Sequence, residues 1–195
     1  RIERTTEDYL HWMQNGYPYR PGEELSESQI VVCSATLAEE GVRELLAHQP
    51  DYWRNHFWPD GMVSVSGREY NGLLESPCFK RGELSCLSCH VMHKPLDDPR
   101  AIDQWKNDQL AIDRQDNRAC TQCHEELADD RRLQAHTHHP LGSSGSNCYN
   151  CHMPHTTYGL LKSIRSHEVD SPDVKVELET GRPNACNLCH LDQTI

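Results

Sequence analysis

"AHTHHPLGSSGSNCYNCHMPH", residues 135–155, holds five histidines and two cysteines. At its heart is CYNCH (148–152), and the same C-x-x-C-H pattern recurs as CLSCH (86–90), CTQCH (120–124) and CNLCH (186–190). With this cysteine and histidine content, a random chain would show the motif roughly 0.03 times, so four copies are not accident. Two thiols three residues apart lie on one side of a helical turn. From there they can add to the two vinyl groups of a haem, and the next residue, a histidine, projects at the iron as proximal ligand. Zinc accounts for less. Eight cysteines could make two four-thiolate sites, but zinc has no need of a histidine after every second cysteine.

The reading therefore assigns covalent attachment to Cys86, Cys89, Cys120, Cys123, Cys148, Cys151, Cys186 and Cys189, and proximal ligation to His90, His124, His152 and His190. The expected cofactors are four haem c groups with their iron. Proximal histidines follow one another at 34, 28 and 38 residues, a loose repeat with irregular protein between the sites. Asn117 and Asn184, just before two of the motifs, suit helix N-caps, so each motif is expected at the start of a short helix.

Bulk composition agrees with a cofactor-filled interior. Only 36% of the 195 residues are hydrophobic, poor for a globule of this length, yet the chain is not of low complexity. The charge of −11 speaks against nucleic acid and suits a basic redox partner or a metal or mineral surface. No stretch nears the roughly 18 apolar residues that span a bilayer. Without a starting Met or a signal-peptide core, the chain reads as a mature form or an excised fragment.

Nine histidines remain after the four proximal ones. His93, three residues after His90, cannot reach the far side of the same haem but can serve a neighbour. His136 and His139, also three apart, could share a helical face and serve different haems, with His138 pointing elsewhere. His167 follows YGLLKSIRS, where Leu160, Leu161 and Ile164 recur at helical spacing. His93, His136, His139 and His167 are thus the expected distal ligands. His155 sits beyond Pro154 and its direction cannot be read; His11, His48 and His56 precede every motif and are weaker candidates. Met92 and Met153 lie too close to their own motifs to swing to the opposite haem face, and suit packing against porphyrin.

Residues 1–75 carry no motif. Helices are expected over TTEDYLHWMQNG (5–16), over about 27–40 with Ser26 and Gln29 as capping box and Gly41 as stop, and over VRELLAHQ (42–49). The Pro-Asp-Gly turn in WPDGMVSVSGREYNG suggests a small hairpin. Cys33 and Cys78 stand outside the motifs; in an oxidising compartment they would most simply form a disulfide, the alternative being two buried free thiols.

GELSCLSCHVMH, HTHHPLGSSGSNCYNCHMP, IRSHEVDSPD and TGRPNACNLCH resemble blocks of the multihaem cytochrome c superfamily, in its tetrahaem members with doubled C-x-x-C-H motifs. The resemblance covers roughly residues 56–190. It implies a mainly α, loop-rich fold with little β, whose core is organised by four closely packed c-type haems, and it favours the same four distal histidines. The division expected is 1–55, a helical segment without a haem motif that offers a partner or assembly surface, and 56–195, the tetrahaem region. Cys33, in that odd N-terminal part, has no counterpart in a simple member.

Two functions compete. A wire would pass electrons through four six-coordinate haems; within a radius of gyration of about 16 Å they must be near neighbours. A catalyst would act on a small nitrogen or sulfur compound at one five-coordinate haem, with His138, Tyr158 and Arg165 as nominal acid–base groups. Nine spare histidines favour the wire, so a non-enzyme is expected. Its partners would be redox proteins or further copies of itself, as a shuttle or a link in a homopolymeric filament, in the bacterial periplasm or outside the cell.

Overall fold

The computed structural model describes residues 30–65, 68–157 and 162–192, together with Gln14, Gly16 and Gly22. The helix expected over 5–16, the start of that over 27–40, His11 and residues 158–161 lie outside the described residues. Among the described residues the helices are short, the longest being Glu40–His48, and none is long and apolar enough to cross a membrane. The only paired strands described, His155–Thr157 and Ser163–Arg165, run antiparallel with Thr156 opposite Ile164. Short helices, little β and long connections make the fold mainly helical.

Among the described residues one conventional apolar core is made by Val32, Val42, Leu45, Tyr52 and Phe57, with Ile30, Leu46, Trp53 and Val63 packed on it. The helix Glu40–His48 buries Val42 and Leu45, three residues apart and so on one face. Its start corrects the expected helix over 27–40: residues 30–33 are not helical, and Gly41 lies inside the helix rather than ending it. The reason is packing. A Cβ at position 41 would lie 2.8 Å from Ile30 Cδ1, so glycine lets the first turn close onto the Ile30 segment. Truncating Leu45 to Ala should cost about 2–5 kcal/mol, read as a lower urea midpoint.

The Pro-Asp-Gly turn forms as expected. Gly61 adopts φ 97°, Trp58 N–H donates to Met62 O at 2.7 Å, and Phe57 bridges Val63 antiparallel. Val65 then bridges Thr157 in parallel, which ties this region to the hairpin after the third motif. Asn71, buried on the helix Glu69–Glu75, donates to the carbonyl of Val32 and fastens that helix to the core.

Past residue 80 the interior changes character. Buried apolar residues there are few and scattered: Trp105, Ala119, Leu133 and Ala185. Polar clasps hold the segments instead. Asn117 donates through Nδ2 to Ser146 O at 2.8 Å and accepts at Oδ1 from Cys148 N–H at 2.9 Å. It makes no side-chain cap to its own helix, Arg118–Thr121, so the expected N-cap is instead a clasp between the second and third motifs. Asn184 does accept from Cys186 N–H at 2.7 Å, ahead of the fourth motif.

The expected disulfide is absent. Cys33 and Cys78 are not bonded to one another. Cys33 is buried with its sulfur 3.7 Å from Thr36 Oγ1, whereas Cys78 opens the separate helix Pro77–Arg81.

Candidate functional site

Each C-x-x-C-H forms a short helical turn. Arg118–Thr121 and Cys148–His152 are α-helical; Cys86–Ser88 and Cys186–Leu188 are single 3-10 turns. In every copy the histidine amide or its neighbour closes the turn onto the first cysteine, as in His90 N–H to Cys86 O at 2.9 Å and His190 N–H to Cys186 O at 2.8 Å.

The four turns adjoin one another in chain order. Gln122 of the second donates to Ser88 O of the first at 3.1 Å. Cys120 of the second lies near enough to Cys148 of the third for each thiol to shift the other, Cys120 upward and Cys148 downward. Burial raises the Cys151 thiol, and the sulfurs of Cys186 and Cys189, in the fourth turn, are near enough to add to the effect. Tyr149 donates its hydroxyl to Arg114 O at 2.6 Å and Asp116 O at 2.8 Å, locking the third turn against the approach to the second.

Three motif histidines face a histidine from outside the motifs. His90 faces His167 with ring centroids 6.2 Å apart, His152 faces His136 at 6.0 Å, and His190 faces His139 at 5.9 Å. The planes of the first two pairs are nearly parallel, 23° and 7° apart, and those of the third are 36° apart. Two imidazoles bound through Nε2 to one iron at about 2.0 Å would set their centroids roughly 6.3 Å apart. By comparison, Tyr52 and His56, in direct contact, lie 4.4 Å apart.

The ring nitrogens are arranged to match. His90 Nδ1 lies 3.0 Å from Asp108 O and His152 Nδ1 2.7 Å from Asp170 O. On the facing side His139 Nδ1 lies 2.5 Å from Thr137 O and His167 Nδ1 3.1 Å from Arg165 O. A carbonyl can only accept, so Nδ1 carries the proton in all four rings, and Nε2 keeps the lone pair a metal needs. Burial also lowers the pKa of His167, favouring its neutral form. Beside it, Glu168 is pushed up to about 7 by burial, with Asp170, Asp60 and Glu75 adding to the rise.

The donor set fits haem c better than zinc. Imidazoles meet in pairs, where a structural zinc site takes four ligands, and no three His, Cys, Asp or Glu converge among the described residues. Leu87 and Leu188, inside their C-x-x-C-H motifs, are 71% and 43% exposed, apolar faces suited to a porphyrin. Haem c would be held by the two sulfurs and histidine of each turn.

Some expected positions are not brought together. His93 and His124 are exposed, and among the described residues no imidazole faces either. His136 lies within the helix Asp130–Thr137, but that helix stops before His139. His138 caps it in the left-handed region at φ 57°, so His136 and His139 do not share a helical face. The chain turns between them, and they meet different motifs. Ile164 likewise lies in a strand, not a helix, because Ser163–Arg165 pairs with His155–Thr157; His167 leaves the hairpin end instead.

Two glycines matter here that the sequence reading passed over. At Gly145 a Cβ would overlap the His139 ring, and at Gly72 it would lie 2.6 Å from Glu168 N and 2.9 Å from His167 C. Both let backbone approach a paired histidine closely. Gly145→Ala should therefore displace His139 and give the same high-spin fraction, by electron paramagnetic resonance, as His139→Ala.

Comparison with curated proteins and with solved structures gives no match. A family model, "Cytochrome c7 and related cytochrome c", matches residues 104–191, which include the second, third and fourth motifs but not CLSCH at 86–90. Over that stretch the chain is similar to multihaem electron-transfer cytochromes, and the match supports the cytochrome c superfamily, haem c with its iron, and electron transport.

Proposed function

We propose that the chain is an electron-transfer protein holding four haem c groups and working as a wire. The observation that carries this is the facing of three motif histidines by three others at close to the spacing iron requires. Cys86 and Cys89, Cys120 and Cys123, Cys148 and Cys151, and Cys186 and Cys189 would each anchor one group. His90, His124, His152 and His190 would bind the irons on one side, and His167, His136 and His139 would cap three of them on the other. Haem iron supplies one-electron chemistry, which the side chains around it do not.

The residues do three things for that chemistry. The pairs His90 and His167, His152 and His136, and His190 and His139 would each hold one iron between them and leave it no room for substrate. Carbonyls on Nδ1 hold the His90, His152, His139 and His167 rings in one tautomer and strengthen their donation. Clasps such as Asn117 and Tyr149 fix the spacing between successive turns, which is what a hopping path depends on. His93 is the distal candidate for the remaining iron. The acidic chain would meet basic redox partners, or further copies of itself, in the periplasm or outside the cell. Residues 1–55 would supply part of that contact surface.

A second reading, a catalyst at an open haem, rests on the exposed His124, which no imidazole faces among the described residues. Coulometric reduction under carbon monoxide separates the two. The wire takes up four electrons per chain and its reduced spectrum ignores the gas. One carbon monoxide bound per chain would place the open iron, and give the second reading priority. Fewer than four electrons would refute four haems.

A further inference from the structure

Two of the proximal histidines share a backing that the haem reading alone does not require. Each donates Nδ1–H to the backbone carbonyl of an aspartate 18 residues further on, His90 to Asp108 and His152 to Asp170. Behind each of these aspartates stands an arginine, Arg100 partly buried and Arg182 buried, that also pairs with a second aspartate. Arg100 donates to both Asp98 oxygens, with Nη2 to Oδ2 at 2.7 Å, and its Nη1 lies 3.8 Å from Asp108 Oδ1. Arg182 lies 2.9 Å from Asp60 Oδ2 and 3.5 Å from Asp170 Oδ2. Their side chains are 11% and 5% exposed.

The backing is tied to the backbone as well. Arg100 Nη2 donates to Leu110 O at 2.6 Å, and Leu110 N–H returns to Asp108 Oδ1 at 3.0 Å. The same short segment pairs with the first motif through Val91 N–H to Gln109 O at 2.8 Å and Ala111 N–H to Cys89 O at 2.9 Å. At the other site Asp170 N–H donates to His152 O at 3.2 Å, so that aspartate clasps its histidine through both backbone groups. Among the described residues His124 and His190 have no Nδ1 carbonyl of this kind.

We infer that Arg100 and Arg182 are positioning residues, each the keystone of an Asp–Arg–Asp brace that fixes the carbonyl taking the Nδ1 proton of His90 and of His152. This rests on the reading of those histidines as iron ligands. A firmly held acceptor makes the imidazole a stronger donor and favours ferric iron. The braces would thus lower the potentials of the first and third haems relative to the second and fourth. A fork-shaped guanidinium can grip two carboxylates, and in Arg100 a carbonyl too, whereas an ammonium is a point charge on a flexible stem.

The test uses the holoprotein and the pair of variants Arg100→Lys and Arg182→Lys, which keep the charge and lose the fork. Haem content is counted by mass, spin state is read by paramagnetic resonance, and midpoints are measured by spectropotentiometry. Each variant should keep the wild-type haem content and spin state and raise the midpoint of one haem, a different one in each, with the double variant raising two. Midpoints equal to wild type in both variants would overturn the brace, as would an equal drift of all four. Should either variant fail to fold, Asp60→Asn and Asp98→Asn loosen the same braces from their far ends and are held to the same outcomes. Wild-type protein without haem would refute the haem reading itself, a result distinct from haem present with immovable midpoints.

Discussion

Exchanging Cys148 and Cys151 together for Ser should strip one haem from the chain, seen as the loss of one haem from the intact mass. Side chains from several segments cross-link the third turn. Asn117 clasps it, Tyr149 reaches back to Arg114 and Asp116, and Arg165 donates to Tyr149 O and Asn150 Oδ1 at 3.0 and 2.9 Å. Cys148 touches the second turn and Cys151 adjoins the fourth. A porphyrin exceeds a buried Trp in apolar surface, so its loss should cost at least about 4 kcal/mol. For a chain of this size that is a fall in melting temperature of about 10 °C. Retention of all four haems by the double variant would break the attachment argument.

His136→Ala and His139→Ala should each turn one quarter of the iron high-spin without releasing any haem, because the thioether bonds remain. The two variants should strike different haems. His136 faces His152 while His139 faces His190, and the left-handed turn at His138 separates them. Together they should make half of the iron high-spin. If either variant keeps a wholly low-spin spectrum, that histidine is not a ligand.

The cysteine pattern is read directly because its chemistry is local: two sulfurs and an imidazole within five residues need only one helical turn. Which imidazole faces a motif histidine is a tertiary matter, and position along the chain does not show that His167, His136 and His139 face His90, His152 and His190. The apolar spacing before His167 does not reflect a helix. Leu160, Leu161 and Ile164 carry helical spacing, yet Ile164 lies in a strand, since short apolar groupings suit either period and cross-strand pairing decides. His136 and His139 were grouped on one face by counting residues, which ignores that a helix can end between them. The same limit explains Gly41. Its place inside a helix depends on contact with Ile30, eleven residues earlier and without any periodic signal. Asn117 was assigned to its own helix because capping is local, whereas its real partners, Ser146 and Cys148, are about thirty residues away. The braces behind His90 and His152 were out of reach for a related reason. Arg182 draws Asp60 to Asp170 across more than a hundred residues, and no spacing rule foresees it.

The most direct test of the central claim is low-temperature electron paramagnetic resonance of the oxidised holoprotein, with haem counted by mass on the same sample. The account predicts four haems and at least three quarters of the iron in low-spin signals, from the pairs His90–His167, His152–His136 and His190–His139. High-spin iron as the majority species would contradict it, because the three facing pairs would then not be closing on iron.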